Sequence, residues 1–66
     1  MPLVQIGIWA GQSQEVKNRL AGRVTQALTE EIGCPKEAVT ILFDEVPKQD
    51  WFIGGQACTE LFKTPT

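Results

Sequence analysis

Histidine is absent from this 66-residue chain, and its absence removes most of the familiar proton-transfer machinery. Without an imidazole there is neither a Ser–His nor a Cys–His pair to activate a nucleophile. Cysteine is nearly as scarce. Cys34 and Cys58 are too few for the disulfide framework of a small secreted fold. With no apolar leader and no basic flank near the start, they are expected as reduced thiols in a cytoplasmic protein. Two cysteines without a neighbouring ligand make no zinc site, so no metal is expected. Long apolar runs are missing too, and none approaches the roughly 20 residues that span a bilayer. Lys and Arg are scattered and the net charge is −2, which gives no electrostatic footprint for nucleic acid or an anionic membrane. Gly54-Gly55 lacks the spacing and the preceding strand of a dinucleotide-binding loop.

What remains is a chain with 42% hydrophobic residues and little room. A domain of this size buries only about 60% of the surface its unfolded chain exposes. One domain over residues 1–66 is therefore expected, and with disulfides and metal set aside its core must be completed by association with other chains.

The run Leu3 to Trp9 is rich in β-branched and aromatic residues and reads as a strand buried on most sides. Ser13 can cap a following helix through its hydroxyl, and Glu15 adds charge of the favourable sign to the first turn. From there Val16, Leu20, Val24, Ala27, Leu28 and Ile32 recur at helical spacing, predicting an amphipathic helix of about nineteen residues. Gly33 and Pro35 supply its stop. Pro35 to Ala38 reads as a tight turn and Val39 to Val46 as a second strand, with Val39, Ile41 and Phe43 on one face. Two strands joined by a helix form a β-α-β unit with a right-handed crossover and parallel strands. Pro47 to Asp50 is a polar connection, Trp51 to Gly55 an apolar patch ending in a hairpin or sharp bend, and Ala57 to Phe62 a short element of undecided type. Lys63 to Thr66 reads as a fraying tail. The fold class is α+β. One helix shields one face of the strand pair, so another subunit is expected on the other.

Candidate chemistry is sparse. Asp44 and Glu45 are adjacent on a strand and so point to opposite faces, which does not make an acid and base pair. The opening Met1-Pro2 stands out. Removal of Met1 would leave a secondary amine directly before a buried strand. Amino termini have unperturbed pKa values of about 7.7–8.0, and apolar surroundings lower them by disfavouring the ammonium. A neutral amine of this kind can remove a carbon-bound proton. By itself, a Pro that merely leads into a strand is the commoner meaning.

Taken together, Pro2-Leu3-Val4-Gln5-Ile6, Gly11-Gln12-Ser13 opening the helix, the Gly33-x-Pro35 break, the second strand and Trp51-Phe52-Ile53-Gly54-Gly55 resemble the 4-oxalocrotonate tautomerase family over nearly the whole chain. The resemblance implies a β-α-β protomer with a short C-terminal hairpin, paired into dimers, with three dimers forming a hexamer. It also implies active sites at the Pro amines built partly from neighbouring subunits. In that family the Pro base moves a proton between an enol or dienol and its 2-oxo acid without metal or cofactor. Arginines bind the substrate carboxylate and an aromatic residue closes an apolar wall.

Carried over by position, Pro2 matches the base and Trp51 the aromatic wall, while the two arginine positions hold Gln12 and Thr40. Each can offer one neutral hydrogen bond where a charge-assisted contact is roughly twice as strong, so a dicarboxylate is expected to bind poorly. Trp9 would lie near the Pro2 pocket of a neighbour, or else serve in a core or interface. Trp51 has the same alternative of interface packing. Lys17, Arg19, Arg23, Lys36, Lys48 and Lys63 are read as solvated, with Arg19 or Arg23 able to reach a neighbour's site. The leading expectation is a cofactor-free isomerase acting on the enol of an unsaturated 2-oxo acid as a homo-oligomer. The alternatives are one subunit of a hetero-oligomer whose partner supplies arginines, and a non-catalytic binding protein on the same fold.

Overall fold

The computed structural model describes residues 1–62; the tail expected at Lys63 to Thr66 lies outside the described residues. Strand β1 spans Leu3–Trp9, helix α1 Gln14–Ile32 and strand β2 Thr40–Val46, followed by β3 Phe52–Ile53, β4 Gln56–Ala57 and a one-turn helix α2 at Cys58–Leu61. Single 3₁₀ turns at Lys36–Ala38 and Lys48–Asp50 make the connections into and out of β2.

Helix α1 begins where the Ser13 hydroxyl accepts the Val16 backbone N–H at 3.1 Å. It ends at Gly33, which takes φ 82° and donates its N–H to the Thr29 carbonyl at 3.0 Å. That left-handed conformation is open to glycine and strained for a residue with a Cβ. The second strand starts one residue later than expected, because the Val39 N–H closes the 3₁₀ turn on the Lys36 carbonyl.

β1 and β2 pair in parallel from Leu3 opposite Thr40 to Trp9 opposite Val46, as the helical crossover requires. The ladder is extended at both ends by the Thr40 N–H to the Pro2 carbonyl at 3.0 Å and the Ala10 N–H to the Val46 carbonyl at 2.9 Å. β3 and β4 form an antiparallel hairpin around Gly54 and Gly55, at φ 62° and 86°. Two consecutive positive φ values are what a primed two-residue turn needs. The Cys58 N–H to Trp51 carbonyl bond, 2.8 Å, fastens α2 to the base of this hairpin.

The expectation of a first strand buried on most sides is corrected. Val4, Ile6 and Ile8 are half-buried under α1, while Leu3, Gln5 and Gly7 on the other face are exposed. The physical reason is that one helix covers one face of a two-stranded ladder. The helix stripe shifts as well. Val16, Lys17, Ala21, Val24, Thr25 and Leu28 are half-buried, whereas Leu20, Ala27 and Ile32 of the expected stripe are exposed. Two strands are too narrow to cover the whole apolar side of the helix.

Cys58 is the one fully buried hydrophobic residue among those described. The radius of gyration is 15.4 Å, against about 11 Å for a compact globule of this length. The protomer is a slab with much of its apolar surface uncovered. No described helix is long and apolar enough to cross a membrane.

Candidate active site

The five residues singled out from sequence fall at opposite ends of the strand pair. Pro2 immediately precedes β1 and is held beside Thr40, the first residue of β2, by the 3.0 Å bond from the Thr40 N–H to the Pro2 carbonyl. Trp9, Gln12 and Trp51 line one cavity beyond the opposite end of the strands. Seven residue steps at strand spacing separate Pro2 from Trp9, roughly 23 Å. Within one protomer the structure brings Pro2 to Thr40 and Trp9 to Gln12 and Trp51, and does not bring the two groups together.

The cavity measures about 420 Å³, within the range of small-molecule sites. It exists because β1 ends beside the first turns of α1 and the hairpin folds across the gap between them. Ile8 from the strand, Val16 and Leu20 from the helix and Ile53 from the hairpin form its aliphatic walls. Trp9 and Trp51 meet edge to face, with ring centroids 6.3 Å apart at 81°, a favoured arrangement for aromatic quadrupoles. Phe62 meets Trp9 from 5.3 Å at 61°, and the Lys48 ammonium lies 4.7 Å from the Trp9 ring centroid. The Trp9 indole N–H is buried without a hydrogen-bond partner.

Gln12 and Lys17 supply the polar side chains of the lining. Lys17 reading as solvated is corrected: its side chain is 17% exposed and its ammonium meets the Glu45 carboxylate at 2.9 Å. Glu45 lies on the helix-covered face of β2 through this contact, and the neighbouring Asp44 is exposed opposite Gly7. Ile8, Val16, Lys17, Leu20 and Ile53 are the cavity residues that sequence reasoning did not assign to a site. A signal for Lys17 was present, since it shares a helical stripe with Leu20, Ala21, Val24 and Leu28, where a charge is out of place without a partner.

The chemistry available at the first end depends on Met1. With Met1 attached, the Pro2 nitrogen is an amide and carries no basic lone pair. Met1 is 98% exposed in the protomer. The groups at the second end can bind and orient a partly apolar molecule and hold one anionic oxygen. No group of three or more metal-ligating side chains occurs among the described residues.

Comparison with known proteins decides the family. A family model described as tautomerase enzyme matches residues 2–60. The chain belongs to the tautomerase family. It is thereby an enzyme of the tautomerase class of isomerases. The 2-hydroxymuconate tautomerase of Comamonas testosteroni is 39% identical over 61 residues, covering 92% of this chain and 97% of that protein. Among solved structures, a 4-oxalocrotonate tautomerase isozyme from Methylibium petroleiphilum superposes with a TM-score of 0.84 at 40% identity, covering 91% of this chain and 97% of that one. A heterohexameric 4-oxalocrotonate tautomerase from Chloroflexus aurantiacus J-10-fl gives a TM-score of 0.85 at 32% identity, over 94% and 100% of the two chains.

Proposed function

We propose that residues 1–66 form a single-domain, cofactor-free keto–enol isomerase of the cytoplasm that acts on an unsaturated 2-oxo acid, with the Pro2 amine as its general base once Met1 is removed. The proton leaves one position of the enol or dienol for the Pro2 nitrogen and is returned to carbon as the C=C bond moves and the C=O bond forms. No electrons are gained or lost, so no redox partner is needed. Trp51 and Trp9 wall the substrate's apolar part, Gln12 donates through its amide, and Thr40, beside Pro2, offers its hydroxyl.

One observation carries this reading: Pro2 with Thr40 and the Trp-lined cavity stand at opposite ends of one protomer. Each end alone lacks half of what a proton transfer needs. A complete site forms where the Pro2 end of one subunit meets the cavity of another, in a hexamer built from dimers; one similar structure is a heterohexamer. The exposed Leu3 and Leu42 on the uncovered strand face, and Leu20 and Ile32 on the helix, supply apolar surface for such contacts.

The test is intact mass followed by labelling with a halopropiolate and assay on an enol panel that includes phenylenolpyruvate. The expected result is a Met-free chain with one adduct on Pro2 and accelerated ketonisation. A free but unlabelled Pro2, or no acceleration of any enol, overturns the reading.

A second reading has its own support. Neither expected arginine position holds a cation, since these are Gln12 and Thr40, and one similar structure is a heterohexamer. In that case this chain is one of two subunit types and the partner brings the arginines. A homo-oligomer with full activity on its substrate excludes it.

A further inference from the structure

We infer that Lys17, steered by Glu45, is the carboxylate-binding cation of the cavity, and that the cavity selects apolar-bodied monocarboxylic 2-oxo acids over dicarboxylic ones. This rests on the assignment of the Trp-lined cavity as the place where substrate binds.

The argument starts from a count of charges. Among the described residues Lys17 is the one cation in the lining, with the Gln12 amide beside it. Lys48 is engaged with the face of Trp9 and does not line the cavity. An ammonium has three donors, and Lys17 directs one at Glu45 across 2.9 Å. Two donors remain to be shared with an incoming carboxylate, assisted by the Gln12 amide. That set suits one carboxylate.

A second carboxylate on the same molecule would lie against Trp9, Trp51, Ile8 and Ile53. These walls hold no cation among the described residues, and the Trp9 indole N–H is itself buried, so nothing there offers a carboxylate a charged partner. A carboxylate stripped of water without a partner is strongly disfavoured, whereas an aryl or alkyl group gains by the same burial. The walls therefore reject the dicarboxylate that a pair of arginines would hold.

Glu45 is a positioning residue in this scheme. It keeps the Lys17 side chain stretched along the cavity wall at 17% exposure, and it partly neutralises the charge that the substrate needs. Removing the Glu45 charge while keeping its shape frees that attraction for the ligand.

The chain has two tryptophans and no tyrosine, and both tryptophans line the cavity. Its intrinsic emission thus reports directly on occupancy. The experiment titrates the assembled protein with hydrocinnamate, a transparent aryl monocarboxylate, and with adipate, a dicarboxylate of similar length, at fixed ionic strength. Saturable change with hydrocinnamate at least about tenfold tighter than adipate is expected, since an unpartnered charge must be buried for adipate. Lys17→Met should weaken hydrocinnamate about tenfold, and Glu45→Gln should tighten it severalfold. Tightening is a gain that damage to the fold cannot produce.

Adipate binding as tightly as hydrocinnamate overturns the inference, as does Glu45→Gln leaving hydrocinnamate affinity unchanged. If Lys17→Met does not assemble, the two wild-type titrations and Glu45→Gln still decide. The two readings fail separately. A protein that binds hydrocinnamate selectively but ketonises no enol retains this inference and loses the catalytic one. A protein that ketonises dicarboxylic enols faster than monocarboxylic ones loses this inference and retains the other.

Discussion

The two ends of the β1–β2 pair differ in how much of a site each one builds for itself. The end beyond Trp9 is furnished within one chain: two tryptophans edge to face, Phe62 and Lys48 against Trp9, and an ion pair between Lys17 and Glu45 that crosses from helix to strand. The end at Pro2 has a backbone bond from Thr40 and little else, with Met1 and Leu3 exposed. The Trp9 end is preformed within one chain and the Pro2 end is bare. On the proposed reading, the Pro2 base is set in an apolar, water-poor environment only when another surface arrives, which makes assembly and catalysis one requirement.

The largest expected effect separates the two ends most sharply. Pro2→Ala should lower kcat by roughly a hundredfold or more, the size of a general base's contribution, while tryptophan emission and ligand titration at the cavity stay as in the wild type. Equal loss at both ends would erase the contrast. Trp51→Ala should act on the other end, raising KM and cutting kcat/KM by roughly ten- to a hundredfold through lost apolar contact, with Pro2 labelling by halopropiolate retained.

Gln12→Arg sharpens the comparison by adding charge to the furnished end. It should improve kcat/KM on a dicarboxylic enol by about tenfold through a charge-assisted contact, measured against a monocarboxylic enol in the same preparation. The smallest effects are structural and fall between the ends. Gly33→Ala, at φ 82°, and Ser13→Ala, which loses the 3.1 Å cap bond, should each cost about 1 kcal/mol of stability. Urea melts at fixed protomer concentration would measure them, with Pro2 reactivity and cavity titration unmoved in the folded protein.

Much of the fold was legible because its signals are local. Ser13, Gly33 and the Gly54-Gly55 turn each mark a boundary through their own backbone or side-chain chemistry, and the structure places elements there. The burial pattern was less legible. Periodicity marks Leu20, Ala27 and Ile32 as apolar, yet it does not say whether the surface that covers them belongs to the same chain, and in the protomer they are exposed. The separation of Pro2 from Trp51 follows from a parallel register that no local pattern encodes. Lys17 was missed for a related reason: its partner Glu45 is 28 residues away, and only the fold shows that the two meet.

The central claim is that a working site joins the Pro2 end of one subunit to the cavity of another, and subunit complementation tests it most directly. Pro2→Ala and Trp51→Ala chains, each impaired as a pure assembly, would be co-assembled and assayed for enol ketonisation at low substrate. The split-site arrangement predicts that the mixed oligomer regains substantial activity, because some interfaces then pair an intact Pro2 with an intact Trp51. Mixed oligomers that form but stay as impaired as their parents would contradict it, placing both groups of each site in one chain.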